Sequence, residues 1–326
     1  MDPEQFFTAS GVIIVAGKGG VGKTAVTAAM AVAASSVGLR TLVVEVEGKS
    51  GLPSMFGSED FTYEQIELLP PEHGGGVVAR TVTPDDALLD YLREHGMQRI
   101  SNRLVASGAL DLVATAVPGI RDILVLGKVK QLERSGEYDL ILLDAHAAGH
   151  AITFLRSATG LADAVRVGPI NTQAREVLGL LNDPDRCRVM LVTLPEETPV
   201  NELIETAYSL EDQVGVALGP VVVNGVFPEL PGLDQDPEKA AEEARVQLLE
   251  GEAELLSAAA EFRLQRTALQ RTQLDRMAEQ LPLPQLELPY LFTSQLGRDD
   301  LDQLAEALLD RVRDLPGPAT EREPVG

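Results

Sequence analysis

The 326-residue sequence has no tryptophan, a single cysteine and few aromatic residues (4%). With Cys187 alone, neither an intrachain disulfide framework nor a four-cysteine metal site can be assembled within one chain. The same shortage removes the paired cysteines that each subunit of an electron carrier gives to a shared iron–sulfur cluster. Bases are also scarce: 27 Lys and Arg stand against 50 Asp and Glu, a formal net charge of −23. A surface of that sign repels nucleic acid and anionic lipid, so neither is expected as a partner. No run reaches the about 18 consecutive apolar residues of a membrane-spanning helix. Met1–Ser10 lacks the basic start and apolar run of a secretory signal. A cytoplasmic protein with no intrinsic membrane segment is expected, and 44% apolar residues suffice for a substantial core.

What is present alternates between two patterns. Gly11–Ala16, Arg40–Val46, Tyr138–Leu143, Arg188–Leu194 and Gly219–Val226 are short apolar runs of the kind that fill buried parallel strands. Ala164–Val167 and Leu286–Leu288 are read as further strands, Val77–Thr83 is a weaker candidate because it is less apolar, and Pro70–Gly76 is a loop by composition. Thr24–Val37, rich in Ala and closed by Gly38, reads as a helix, as does Asp299–Arg313. Within residues 84–136, Leu88, Tyr91 and Leu92, then Ile120, Ile123 and Leu124, keep helical spacing. Residues 237–281 are a second, highly charged helical stretch. Leu248, Leu255, Phe262 and Leu269 recur there every seven residues, without the companion positions that a coiled coil needs.

This alternation predicts an α/β fold with a doubly wound, mostly parallel sheet. Residues 1–315 read as one P-loop NTPase domain. Helical insertions at about 84–136 and 231–281 would form an added helical subdomain, and the Pro- and Glu-rich tail, 316–326, is expected to be disordered.

Gly17–Thr24 reads GKGGVGKT, a match to G-x-x-x-x-G-K-[ST], between a predicted strand and a predicted helix. Gly17, Gly19, Gly20 and Gly22 let the backbone amides of the loop, Val21 and Ala25 included, turn toward phosphate oxygens, and the helix N-terminus adds partial positive charge. Lys23 would reach the β- and γ-phosphates of ATP or ADP, and the Thr24 hydroxyl would ligate Mg²⁺. Asp144, at the end of an apolar strand, is placed to hold the same ion through water. His146 and His150 are four apart, but without a third ligand nearby no zinc is expected.

The form GKGGVGKT is similar to the deviant Walker A class, in which a second lysine, here Lys18, reaches across a dimer to the partner's nucleotide. Beyond this loop the chain resembles the arsenical-pump and tail-anchored-protein-targeting ATPase family over most of residues 11–313. The resemblance is carried by GKGGVGKT, by VVEVEGKSGLPSMFG at 43–57 as switch I, and by PGIRD at 118–122. It continues in DAHAAGH at 144–150 as switch II, VVVN ending at Asn224, and LELPYL around Pro289. It implies that Asn224 reads adenine, that Pro289 lies on the adenine side, and that Glu47 stands where the family keeps an Asp to orient the attacking water. Glu is one methylene longer, and a misplacement on the order of 1 Å can cost ~100-fold in rate. The family's metal-binding cysteines are absent. The pattern is closest to bacterial single-half members that occur as paired paralogues, which implies a homodimer or a heterodimer with a paralogous ATPase subunit.

The resemblance implies an ATP-driven dimeric switch that couples nucleotide state to an unknown protein client. A non-hydrolysing regulatory subunit of a heterodimer is the alternative, because of Glu47. A positioning ATPase of the MinD or ParA kind needs a membrane-binding helix or a basic face. The C-terminal segment instead carries Asp300, Asp302, Glu306, Asp310 and Asp314 against Arg311 and Arg313. A groove for varied apolar helices tends to be Met-rich, whereas the two helical stretches hold only Met97 and Met277.

Overall fold

The computed structural model describes residues 1–46, 51–71, 74–94, 96–99, 102, 119–165 and 167–317. Along the chain run α1 (Pro3–Thr8), β1 (Val12–Gly17), α2 (Lys23–Ser36), β2 (Thr41–Val46), α3 (Leu52–Met55), β3 (Ile66–Leu69) and β4 (Val77–Val82). Next come α4 (Pro84–Glu94), α5 (Ile120–Ser135), β5 (Leu140–Ala147), α6 (Ala148–Ala164), α7 (Pro169–Leu181), β6 (Cys187–Thr193) and α8 (Glu197–Gln213). The last elements are β7 (Ala217–Leu218), β8 (Val221–Val226), α9 (Pro237–Ala244), α10 (Glu252–Gln280), β9 (Gln285–Pro289) and α11 (Arg298–Asp314).

Among the described residues the sheet has nine strands in the order β3-β4-β2-β5-β1-β6-β8-β9, with β7 beside β6. Every pairing is parallel except that of β3 with β4. The central strands are apolar on both faces because helices cover both faces. Val12, Ile14 and Ala16 of β1 pack into a core with α4–α8, while Ile13 and Val15 pack into another with α1, α2 and α11. α2 owes its Ala-rich sequence to this setting. Every residue from Ala25 to Ser35 is buried, and small side chains let it lie close against β1, β2 and β5.

Two expectations are corrected. Ala164–Val167 is no strand: α6 runs through Ala164, and Val167 is 83% exposed. A buried strand there would need apolar side chains on both faces, which the exposure of Val167 does not fit. β5 does not stop at Asp144 but continues through Ala147, where it shifts register against β1 and passes directly into α6. The small residues expected as a switch loop therefore form a strand–helix junction.

The helical stretches take different places. α4 and α5 pack on each other, α5 packs on α6 and α7, and Leu88, Leu92, Ile123 and Leu124 enter the core on that face. α10 instead lies on α8 and α9 and buries only Gln270, Leu274 and Met277. Gln270 pins it to the end of β8, accepting from Phe227 N at 2.8 Å and donating to the Gly225 carbonyl at 3.1 Å. Of the seven-residue recurrence, Leu255, Phe262 and Leu269 face outward and Leu248, before the helix, is half-buried. No described helix is long and apolar enough to cross a membrane. Residues 318–326, most of the expected tail, lie outside the described residues.

Candidate nucleotide-binding site

β1 sits between β5 and β6 and carries the chain to Gly17 at the carboxyl edge of the sheet, where α2 begins at Lys23. A Cβ at Gly17 would lie 2.3 Å from the Val192 carbonyl oxygen of β6, so the loop can leave the sheet this closely only through glycine. Gly22 has φ +89°, and a Cβ there would meet Asn224 Nδ2 at 2.2 Å. Both the left-handed backbone and the contact demand glycine. Gly19 and Gly20 are exposed, while Val21 is buried beneath them. The loop thus forms an open rim in front of a helix N-terminus, where partial positive charge favours anions.

Four side chains complete the rim. Lys23 folds over the loop and donates from Nζ to the Lys18 carbonyl at 3.1 Å. Burial lowers its pKa from the usual lysine value, partly offset by the charge of Asp144. Thr24 Oγ1 donates to Asp144 Oδ2 at 2.8 Å, which joins the start of α2 to β5. Lys18 forms an ion pair with Glu202 of α8 in the same chain. Asn224, on β8, donates from Nδ2 to the Val21 carbonyl at 3.0 Å and so braces the loop from beside.

Next to the loop, Ala25, Asn224 and Pro289 line one cavity of about 260 Å³, together with Tyr290, Leu291 and Leu194. Its walls come from α2, from the ends of β8 and β9 and from the chain that follows β9. An opening at the carboxyl ends of parallel strands is where open α/β sheets hold ligands.

Residues 10–167 match the model of a family described as anion-transporting ATPase. The chain is 33% identical over 222 residues to ATPase BagA of Mycobacterium tuberculosis, a match that covers 66% of this chain and 65% of the relative. It is 28% identical over 235 residues to a Halobacterium salinarum protein named for the arsenical pump-driving ATPase, covering 65% of this chain and 35% of that one. It is also 28% identical over 175 residues to ATPase get3 of Schizosaccharomyces japonicus, covering 51% and 52%. The chain thus spans just under two thirds of the length of the mycobacterial relative it matches.

Residues 10–167, the stretch that matches this family's model, contain most of the residues singled out in the sequence. Gly17–Ala25 and Asp144 converge at one rim, and Asn224 and Pro289 join them from beyond residue 167. Glu47 lies outside the described residues, as do the side chains of His146 and His150. Three groups escaped notice in the sequence. Glu202 is one acid among many on α8, and only the fold sets it against Lys18. Tyr290 follows Pro289 with nothing in its spacing to mark it as a cavity wall. Glu45 was readable: a carboxylate inside the apolar run TLVVEV is 3% exposed on β2, and a charge in a buried strand calls for a reason.

Proposed function

We propose that the chain binds ATP with Mg²⁺ at Gly17–Thr24, and that two such subunits close around nucleotide to present or withdraw a surface for a protein client. The observation that carries this reading is the 2.8 Å hydrogen bond between Thr24 Oγ1 and Asp144 Oδ2 at the mouth of the loop. A hydroxyl and a carboxylate side by side are an oxygen donor set that fits Mg²⁺. In this reading Thr24 and Asp144 would be the residues that hold the ion. The ion, when bound, neutralises charge on the phosphate oxygens.

The loop amides of Gly17, Gly19, Gly20, Val21, Gly22 and Ala25 receive the phosphates. Lys23 exchanges the Lys18 carbonyl for phosphate oxygens, and the charge it meets there favours its protonated form. Asn224 and Pro289 border the adenine. Lys18 leaves Glu202 and places its charge on the partner subunit's nucleotide, while Glu47 orients the attacking water. A half-exposed pair such as Lys18–Glu202 is worth little in water, so its release is no obstacle to closure.

A second reading keeps nucleotide binding and the dimer but removes hydrolysis, with the chain as regulatory subunit of a heterodimer. The extra methylene of Glu47 favours it. The deciding experiment is calorimetric binding of ATP and ADP with Mg²⁺ to the purified chain, beside phosphate release at several protein concentrations. Release per subunit that rises with concentration supports a self-sufficient homodimer. Tight binding without release supports the regulatory reading, and absence of binding would refute both.

A further inference from the structure

The two lysines of the loop share one small space but leave it in different directions. Lys23 Nζ lies 3.1 Å from the Lys18 carbonyl oxygen, so the head of one lysine sits at the backbone of the other. A phosphate within reach of Lys23 is therefore close to the root of the Lys18 side chain. The flexible four-carbon stem of that side chain would let its ammonium turn onto the same phosphate. In the structure it turns away and pairs with Glu202.

Glu202 is presented from a packed element. It stands in the second turn of α8, close to the buried Val200 and Leu203, and its own carbonyl accepts from Thr206 Oγ1 at 2.6 Å. α10 braces this end of α8: Arg276 donates to Asn201 Oδ1 at 2.6 Å, and Arg266 donates to Glu196, the residue before the helix, at 2.5 Å. The carboxylate thus offers Lys18 a fixed direction. The side chains of the pair are 41% and 38% exposed, and a pair of that exposure shifts an equilibrium by no more than about fivefold. Such a contact biases the lysine without locking it.

We propose that Glu202 is a positioning residue for Lys18: it holds the ammonium off the nucleotide of its own chain and keeps it available to a second subunit. The inference rests on the nucleotide reading above. It names the residue that makes Lys18 act between chains rather than within one.

The test is fluorescence titration of the dilute full chain with mant-ADP, a fluorescent ADP analogue, with Mg²⁺ at 150 mM salt. Glu202→Gln keeps the length of the side chain and removes its charge. With Lys18 released onto its own loop, mant-ADP affinity is expected to rise about fivefold. In the Lys18→Ala background the same change is expected to leave the affinity unaltered, since no lysine is there to release. A gain of equal size in both backgrounds would mean that Glu202 only repels the phosphates, and it overturns the proposal. An affinity that Glu202→Gln leaves unchanged, in a chain that binds mant-ADP, overturns it as well and spares the nucleotide reading. If the unmodified chain binds no mant-ADP, the nucleotide reading falls and this inference with it.

Discussion

At the scale of single residues, the two lysines of the loop are chemically alike and differ in setting. Lys23 is half-buried and turned onto the loop's own backbone, whereas Lys18 points outward to Glu202. Lys23→Ala is therefore expected to abolish ATP binding, and Lys18→Ala to leave the affinity within about twofold while removing dimer-dependent hydrolysis. Calorimetry and phosphate release on the two variants check this, and full turnover by Lys18→Ala would refute a role across the dimer. Cys187 gives a separate pH prediction. Burial, with the nearby charge of Glu133 adding to it, pushes its thiol up from the ordinary 9.0 to about 12. Above pH 9 the unfolded chain sheds a proton that the folded chain keeps, so this residue's contribution makes stability fall as pH rises. Cys187→Val is expected to remove that part of the decline, so the difference in urea midpoint from the unmodified chain should shift in favour of the variant between pH 8 and pH 10.

At the scale of elements, the strands of the central sheet were legible because each is an apolar run with a turn residue near its ends. β1, β2, β5, β6 and β8 fall within a residue or a few of their expected bounds. β3 was missed, since an antiparallel edge strand is covered less evenly, and Ile66–Leu69 is only partly buried. α1 was also unread: its Phe6 and Phe7 are buried against α2 and α11, an environment that local sequence does not reveal. α10 shows how periodicity misleads. Its most regular apolar residues face outward, while Leu274, off that repeat, is 4% exposed and anchors the helix. Leu274→Ala is expected to cost about 2–5 kcal/mol, and Leu255→Ala, at a position 73% exposed, about 0.5 kcal/mol or less. Urea denaturation of both variants measures the contrast, and equal losses would contradict the packing of α10.

At the scale of the whole molecule, net charge governs how two copies meet. Two chains of −23 each repel at long range, and salt screens that repulsion within about 10 Å at 0.1 M ionic strength. The proposed ATP-dependent dimer should therefore be more populated at 150 mM than at 20 mM salt, as sedimentation velocity with Mg²⁺ and ATP would show. A monomer under all these conditions would remove the dimer from the proposal. Sequence alone determined the sheet-and-helix alternation and the glycine-rich loop, because both depend on short-range rules: apolar runs become buried strands, and GKGGVGKT needs only its own glycines and the helix after it. Only the tertiary structure decided that Asn224 braces Val21 and that Glu202 holds Lys18. These contacts join residues far apart in the chain, and strand order in a parallel sheet, which local sequence does not encode, sets them next to one another.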